Sequence, residues 1–376
     1  MASSLLPPAV PETAALTALR AEVRSFLEDQ LTAGAFTPDV DTWLGGFDPR
    51  LTKALAERGW IGMTIPVEYG GRGRSFMERF VVTEELLAAG APVSAHWIAD
   101  RQAAPSLLKY GTEPQKHRFL PGIAAGDLFW AIGMSEPDSG SDLASVRTRA
   151  DRVEGGWRIT GTKVWTSGAH HAHAFFCLAR TSPPDPEHRH AGLSQFIVGL
   201  DSPGVTVRPI PSMDGRHHFN EVHLDDVFVP DDLVMGSIGE GWQQVTSELS
   251  YERSGPERFL STFRLLAALA DREMGGSTTG AYVARLTGLH HMSAAIAGGL
   301  GRHEDVTAAA AVVKVLGTTL EGDIAELADR ITEDDPRDAE LRALIQRAVI
   351  HRPGFTLRGG TNEVLLGVIA RELGLR

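Results

Sequence analysis

The stretch WRITGTKVWTS, residues 157–167, carries the pattern that decides the fold. β-branched and aromatic residues dominate it, and it closes on a flat aromatic followed by two hydroxyls. Short runs of this kind, bounded by Gly, Pro, Asp or Ser, are typical of β-strands. Similar runs follow at residues 174–180, 194–200, 205–210 and 220–229. Together they predict a compact antiparallel sheet or barrel in the middle of the chain.

Helical patterns flank these strands on both sides. Leu16, Leu19, Val23 and Phe26 are spaced by three or four residues, which indicates one buried helix face. Further helices are predicted at 76–88, near 101–109, and at 242–271, 282–297, 306–331, 338–350 and 362–373. This order predicts an α+β fold with an N-terminal helical domain (1–127), a central β-barrel-like domain (128–236) and a C-terminal helical bundle (237–376).

Composition narrows the class of protein. The 376 residues carry a net charge of -12, which disfavours a nucleic-acid partner. No apolar run approaches the roughly 20 residues of a membrane span, and the first residues lack the basic start of a secretory signal. The single cysteine, Cys177, rules out an intrachain disulfide and fits a reducing cytoplasm. We therefore expect a cytoplasmic protein without a membrane or nucleic-acid partner.

A carboxylate interrupts the apolar stripe of the helix predicted at 242–271. Glu252 falls on the same three-four spacing as Val245 and Phe259, and Pro256 should bend the helix just after it. Glu252 is therefore either a solvated charge paired with Arg253 or a desolvated carboxylate with a raised pKa. The second state suits a general base.

Three loops have the composition of ligand sites. Residues 133–142 are rich in Gly, Ser and Asp, which either form a plain turn or let backbone N–H groups approach a ligand. Trp165 at a strand end is either a core residue or a ring for stacking. Residues 358–364 open the last helix at Thr361, either as an ordinary cap or as an anion site at a helix N-terminus.

In their order and spacing, these segments resemble the acyl-CoA dehydrogenase family. The resemblance extends from about Thr17 to Arg376 and implies that FAD is the cofactor and an acyl-CoA thioester the substrate. The matching motifs are Tyr69-Gly70-Gly71 with Gly73 and Ser75, Met134-Ser135-Glu136-Pro137 with Gly140-Ser141-Asp142, Gly161–Ser167, Asp226–Pro230, Glu252-Arg253, and Gly360-Thr361 with Glu363.

The resemblance also implies site residues. The Ser167 hydroxyl would lie near flavin N5, Trp165 would cover the isoalloxazine ring, and no metal site is expected. The other implied contacts to FAD are Ile132, Gly133, Met134, Ser135, Gly140, Ser141, Thr166, Thr361 and Glu363. Implied contacts to the thioester or the CoA arm are Ser141, Ser250, Tyr251 and Arg253. His170, His171 and His173 do not have the spacing of a standard zinc motif.

The position of the base departs from the commoner family pattern. Many members carry it immediately before the Gly-Thr of the last loop, where this chain has Gly359, whose N–H could still bind the thioester oxygen. A minority carry it on the long bundle helix, at the position of Glu252. The resemblance therefore implies that Glu252 takes the α-proton while the β-hydrogen leaves as hydride to flavin N5.

Two further departures concern partners. The family's Arg-Phe-Gly and later Gln are not found between Phe263 and Arg302, and residues 350–355 replace its Phe-Gly-Gly-x-Gly. The chain resembles one subunit of the bacterial α2β2 enzymes that act on steroid or other bulky acyl chains. The resemblance implies a homo- or hetero-tetramer with a second acyl-CoA dehydrogenase-like chain, and an electron-transfer flavoprotein-type acceptor. A flavin monooxygenase or oxidase, or a non-catalytic partner subunit, remains an alternative.

Overall fold

The computed structural model describes residues 6–253, 255–332 and 338–375, with the side chains of 248–252 outside that description. The chain divides into two compact units built from separate stretches of sequence. Unit 1 contains Met1–Leu51, Arg74–Val93 and Glu252–Arg376, and unit 2 contains Thr52–Gly73 and Ser94–Tyr251. The three predicted segments divide the chain along its sequence instead, and they stay a proposal.

The helices begin and end as follows: α1 Ala14–Thr32, α2 Thr42–Gly45, α3 Pro49–Glu57, α4 Phe76–Ala88, α5 Ser94–Ile98, α6 Ala104–Tyr110, α7 Glu113–Ala124, α8 Gly241–Arg253, α9 Phe263–Asp271, α10 Gly276–Gly301, α11 Thr307–Ile331, α12 Ala339–Phe355 and α13 Asn362–Glu372. The strands are β1 Trp130–Gly133, β2 Arg149–Val153, β3 Gly156–Lys163, β4 Ala174–Arg180, β5 Leu193–Gly199, β6 Val205–Pro211, β7 His217–Pro230 and β8 Val234–Met235. This order confirms the predicted α+β fold class.

Unit 1 is a helical assembly around α4 and α11. Helix α1 buries the predicted stripe that includes Leu16, Val23 and Phe26, and it packs against α4. Helix α4 starts at a capping box, in which Ser75 and Glu78 satisfy each other's backbone N–H groups. Helix α11 contacts α9, α10, α12 and α13, so its buried face forms the centre of the bundle. Among the described residues, no helix combines the length and the apolar character needed to cross a bilayer.

Unit 2 contains the sheet, with strand order β6-β7-β3-β2-β4-β5-β8 and β1 beside β4. Most neighbours are antiparallel, as predicted, but β1 and β2 both pair with β4 in parallel, so a purely antiparallel sheet was wrong. Parallel neighbours need a long connection, and the chain between β1 and β4 includes β2 and β3. Strand β4 is buried along its whole length, which explains its continuous apolar sequence.

Two local predictions need correction. Strand β2 was missed because its sequence, RADRV, buries only Ala150 and therefore has no apolar run to recognise. The single helix predicted at 242–271 is instead two helices, α8 and α9, separated by a 3-10 turn at Pro256–Arg258. Proline lacks the N–H that a continuing helix needs, and the preceding Gly255 is extended, so the chain breaks there where only a bend was expected.

Candidate functional site

The loop after β1, residues 134–142 (the serine loop), is fixed by one buried carboxylate. Glu136 accepts hydrogen bonds from the Arg147 N–H at 2.6 Å, the Thr148 N–H at 2.8 Å and the Lys163 Nζ at 2.9 Å. The Lys163 amine is fully buried and also donates to the Met134 carbonyl at 3.1 Å. Burial acts to raise the pKa of Glu136, but the Lys163 charge and these hydrogen bonds hold it below the ordinary range.

The residues that follow β3, 164–168 (the tryptophan turn), lie directly beside this loop. The Val164 N–H donates to the Ser135 carbonyl at 2.9 Å, and the Thr166 N–H donates to the Asn220 carbonyl at 3.0 Å. Between these two bonds Trp165 has a φ of 59° and is 57% exposed. A bulky residue in the left-handed region is a genuine outlier, and such strain is concentrated at functional sites. The tryptophan ring is thus presented at the surface of unit 2 at a conformational cost.

The predicted cofactor residues of unit 2 differ in burial. The Val164–Ser135 hydrogen bond joins the tryptophan turn to the serine loop. Those that are partly buried are Ile132, Met134, Ser135 and Ser167; Gly133 and Thr166 are buried, and Gly140, Ser141 and Trp165 are exposed. The Thr166 hydroxyl is buried without a hydrogen-bond partner among the described residues. A polar ligand at this turn would supply such a partner.

Gly133 has a packing explanation. A Cβ atom at this position would lie 2.5 Å from the Phe175 ring and 3.2 Å from the Lys163 side chain. Neither contact is a normal van der Waals distance, so only glycine fits against the buried strand β4. The absence of a side chain at 133 therefore follows from the fold, and a contact to FAD there stays a proposal.

The loop between α12 and α13, residues 356–361 (the glycine loop), contains Gly359, which was predicted from the resemblance to contact the thioester oxygen. Gly359 and Gly360 have φ values of 70° and 88°, where glycine is strongly favoured. Arg253 donates from Nε to the Gly359 carbonyl at 2.8 Å. Thr361 caps α13, because its hydroxyl accepts from the Val364 N–H at 3.3 Å, whereas Glu363 is exposed.

Buried charges in unit 1 hold this glycine loop. Arg358 donates to both oxygens of Asp41 at 2.7 Å, and His351 lies 3.0 Å from the same carboxylate. Burial acts to raise the pKa of Asp41, but the Arg358 charge and the His351 hydrogen bond hold it well below its ordinary range. The buried Lys314 amine holds the two ends of the glycine loop, because it donates to the Thr356 carbonyl at 3.0 Å and to the Asn362 amide oxygen at 2.7 Å.

For three of the predicted site residues, the structure describes the backbone but not the side chain. Ser250, Tyr251 and Glu252 belong to α8, but their side chains lie outside the described residues. Arg253 is buried, and its described bond goes to the glycine loop. The role of Glu252 as the base therefore stays a proposal.

The anchoring residues were not assigned a role from the sequence, although signals were present. Glu136 and Lys163 stand within the motifs that carried the family resemblance, and a lysine at the end of a strand run is one possible sign of a buried ion pair. Lys314 follows an apolar helical run. Asp41 gave no such signal, because its partner Arg358 is 317 residues away.

Comparisons with known proteins decide the family. The model described as "Acyl-CoA dehydrogenase, N-terminal domain" matches residues 13–127, and the one described as "Acyl-CoA dehydrogenase, middle domain" matches residues 131–227. The chain belongs to the acyl-CoA dehydrogenase family. The resemblance identified from the sequence motifs is thereby confirmed.

Individual acyl-CoA dehydrogenases match a longer part of the chain than the two family models do. FadE29 of Mycobacterium tuberculosis (strain ATCC 25618 / H37Rv) is 32% identical over 94% of each chain. FadE34 of the same organism is 36% identical over 85% of this chain, but this chain spans only 45% of FadE34. The solved structure of the Tcur3481-Tcur3483 steroid ACAD superposes with a TM-score of 0.84 at 32% identity, covering 97% of this chain and 98% of that one.

Proposed function

We propose that the chain catalyses FAD-dependent α,β-dehydrogenation of an acyl-CoA thioester. The observation that carries this proposal is the strained, exposed Trp165, tied through Val164 to the serine loop. Such a turn offers an exposed flat aromatic surface, and the partly buried Ser135 and Ser167 belong to the joined loop and turn. A planar ring system with polar edges suits this combination of stacking and hydrogen bonding.

The residues proposed to hold FAD are those that the family resemblance implies. They are Ile132, Gly133, Met134, Ser135, Gly140, Ser141, Trp165, Thr166, Ser167, Thr361 and Glu363. When bound, FAD would supply the acceptor for the hydride that leaves the substrate β-carbon. Thr361, at the N-terminus of α13, has the residue type and position that favour an anionic group.

The chain's own chemistry centres on proton removal and charge stabilisation. Glu252 on α8 is proposed to take the α-proton as general base. The Gly359 N–H is proposed to donate to the thioester oxygen as negative charge develops there. Arg253 fixes the peptide between Gly359 and Gly360 through its bond to the Gly359 carbonyl. The Gly359 N–H belongs to the preceding peptide, so its role is proposed from the family resemblance.

Substrate and partners are proposed from the family. Ser141, Ser250, Tyr251 and Arg253 would contact the thioester or the CoA arm. A steroid acyl-CoA is the first substrate to test, because the Tcur3481-Tcur3483 relative is described as a steroid ACAD. That description joins two components, which supports assembly with a second acyl-CoA dehydrogenase-like chain. The homo- or hetero-tetramer is proposed from the family resemblance. An electron-transfer flavoprotein-type acceptor and a cytoplasmic location complete the proposal.

Anaerobic reduction of the bound flavin tests the proposed reaction. The chain is purified alone and with a co-expressed acyl-CoA dehydrogenase-like chain, and each preparation is mixed with a steroid acyl-CoA and a long-chain acyl-CoA. Loss of flavin absorbance at about the rate of turnover is the expected result. Glu252→Gln should slow it by about 100- to 10,000-fold, the range for loss of a general base. Glu240→Gln is the matched control, since Glu240 is exposed beside the start of α8.

Other outcomes favour different functions. If flavin bleaches only with an external reductant and then consumes oxygen, the chain is a monooxygenase or oxidase on the same fold. If Glu252→Gln retains the full rate within an active complex, the base is elsewhere and this chain is a non-catalytic partner subunit.

A further inference from the structure

Asn220 lies behind the tryptophan turn and bonds to it twice. It is a fully buried residue of β7. Its backbone carbonyl accepts from the Thr166 N–H at 3.0 Å, and its side-chain Nδ2 donates to the Thr166 carbonyl at 3.0 Å. Both main-chain groups of Thr166, the residue after the strained Trp165, are therefore held by the same asparagine. Strained conformations persist only where their surroundings over-determine them.

Two imidazoles fix the Asn220 side chain in turn. His217 Nε2 lies 2.8 Å from Asn220 Oδ1, and His170 Nδ1 lies 3.0 Å from Asn220 Nδ2. Because an amide oxygen only accepts and an amide nitrogen only donates, His217 must carry a proton on Nε2 and His170 must lack one on Nδ1. Turning the amide over would place its oxygen against the Thr166 carbonyl, so the orientation is determined.

The imidazoles themselves pack together beside a cavity. The rings of His170 and His217 are stacked at a centroid distance of 4.0 Å, and those of His170 and His171 are 3.9 Å apart. A cavity of about 400 Å³ is lined by both His170 and His217, by Asn220 and by Asp201. Burial and the neighbouring imidazoles lower the pKa of His170 to about 4, which agrees with its role as an acceptor.

We propose that Asn220 is a positioning residue for the tryptophan turn, held in register by His170 and His217, and that it sets how Trp165 meets the flavin. This inference rests on the proposed function for the flavin contact, but its structural part does not. A residue that holds a stacking surface affects alignment more than binding, and a small misplacement at a reacting centre costs much of the rate.

The first test needs no flavin. Hydrogen–deuterium exchange of residues 164–170 is compared in the wild type, Asn220→Ala and Glu221→Gln, all as purified. Asn220→Ala removes the hydrogen bonds of the side-chain amide but keeps the main-chain bond to the Thr166 N–H. Exchange should therefore become about 5- to 30-fold faster, as expected for a loss of one or two kcal/mol of local stability. Glu221→Gln is the control on the same strand, where the side chain faces Arg208 at 3.7 Å. Unchanged exchange in Asn220→Ala would overturn the proposal.

The second test uses charge. The titratable groups around Asn220 are His170, His171, His217, His218 and Asp201. In Asn220→Asp, a carboxylate replaces the donor that faces His170, so this imidazole should gain a proton at a higher pH than in the wild type. Histidine side-chain NMR titration, assigned with His170→Asn, measures that change. An unaltered His170 titration contradicts the arrangement.

The third test addresses the flavin in the loaded enzyme. Asn220→Ala should shift the flavin absorption maximum and lower kcat by about 10- to 100-fold with little change in KM. A variant with altered exchange but an unchanged flavin spectrum and kcat would restrict Asn220 to a structural role and overturn the positioning proposal. If the wild type binds no flavin in any assembly while the exchange result stands, it is the proposed function that fails.

Discussion

The tryptophan turn and the glycine loop are both held in left-handed backbone conformations, but their anchors lie at different distances along the chain. The tryptophan turn adjoins the Lys163–Glu136 pair, 27 residues apart in sequence, and Asn220, 54 residues from Thr166. The glycine loop depends on Arg253, 106 residues from Gly359, and on Asp41, 317 residues from Arg358. The first site is thus held by contacts within residues 136–220, whereas the second depends on contacts between parts of the chain that are far apart in sequence.

The largest effect is expected from breaking the anchor of the serine loop. Lys163→Met leaves the Glu136 carboxylate buried without its counter-ion, which should lower the free energy of unfolding by about 3–5 kcal/mol. Denaturant unfolding measures the change. The double variant Glu136→Gln/Lys163→Met should recover part of the loss, because no unpaired charge remains. Recovery should be incomplete, because one amide oxygen cannot replace both carboxylate oxygens that accept from the Arg147 and Thr148 N–H groups.

A matched surface pair in the same unit is the control for that experiment. Lys53 and Asp127 lie 2.7 Å apart, but both side chains are about half exposed. Lys53→Met should therefore change the free energy of unfolding by no more than about 1 kcal/mol. Equal losses in the two lysine variants contradict the view that Lys163 anchors the loop through a buried charge.

Asp41→Asn applies the same test to the glycine loop. It removes the counter-ion of Arg358, and we expect a loss of about 3 kcal/mol in the free energy of unfolding. Because the pKa of Asp41 is depressed, its stabilisation is present at neutral pH and disappears as the pH falls below the ordinary carboxyl range. Glu326→Gln is the control, because it removes an exposed ion pair with Arg352. It should change the free energy of unfolding by no more than about 1 kcal/mol. Hydrogen–deuterium exchange of residues 356–361 should become faster in Asp41→Asn but not in Glu326→Gln.

Glu321 in unit 1 should show the opposite dependence on pH. Burial raises the pKa of its carboxyl to about 7, although Arg358 and the Ser261 N–H act against the shift. A raised pKa means that the carboxyl's contribution to stability is full below about pH 4.5 and is lost as the pH rises through about 7. Relative to the wild type, Glu321→Gln should gain about 2–3 kcal/mol in unfolding free energy between pH 4.5 and pH 8. A constant difference across that range contradicts a neutral buried Glu321.

The smallest changes in unfolding free energy are expected at three glycines, whose surroundings and backbone conformations differ. Gly133→Ala forces a methyl group onto the Phe175 ring and should cost about 1–3 kcal/mol in unfolding free energy. Gly360→Ala should cost about 1–2 kcal/mol because of its left-handed backbone. Gly140→Ala meets no atom within 4 Å and should change stability by less than about 0.5 kcal/mol.

The same series tests the proposed cofactor contact of the serine loop. If FAD approaches the backbone closely at Gly140, then Gly140→Ala weakens FAD binding while stability is unchanged. FAD titration of the apo-protein measures the affinity. An unchanged affinity removes Gly140 from the proposed site.

Secondary structure was predicted correctly where the hydrophobic pattern was strong. It was predicted wrongly where contacts between distant residues determine the structure. Strand β4 matches its predicted bounds, because a fully buried strand must be continuously apolar. Strand β2 was missed because its charged side chains face solvent, and the parallel pairings of β4 leave no local signature. The break between α8 and α9 shows that proline, with an extended residue before it, ended a helix whose apolar stripe continued.

For the candidate site, motif spacing singled out the serine loop, Trp165 and Thr361, because those residues lie in short characteristic segments. Their contacts to FAD stay a prediction. Motif spacing did not reveal that Arg253 bonds to Gly359, since the two residues are 106 positions apart in sequence. The positive φ of Trp165 was equally out of reach, because a bulky aromatic residue gives no sequence signal for left-handed backbone.

The most direct test of the central claim, that the tryptophan turn is the platform for the flavin, is a fluorescence titration with FAD. The protein alone and its complex with a second acyl-CoA dehydrogenase-like chain are titrated as wild type and as Trp165→Phe. We predict that FAD binds and quenches the emission component that is missing from Trp165→Phe. Binding of FAD that leaves the Trp165 emission unchanged, or no binding in either preparation, would contradict the account.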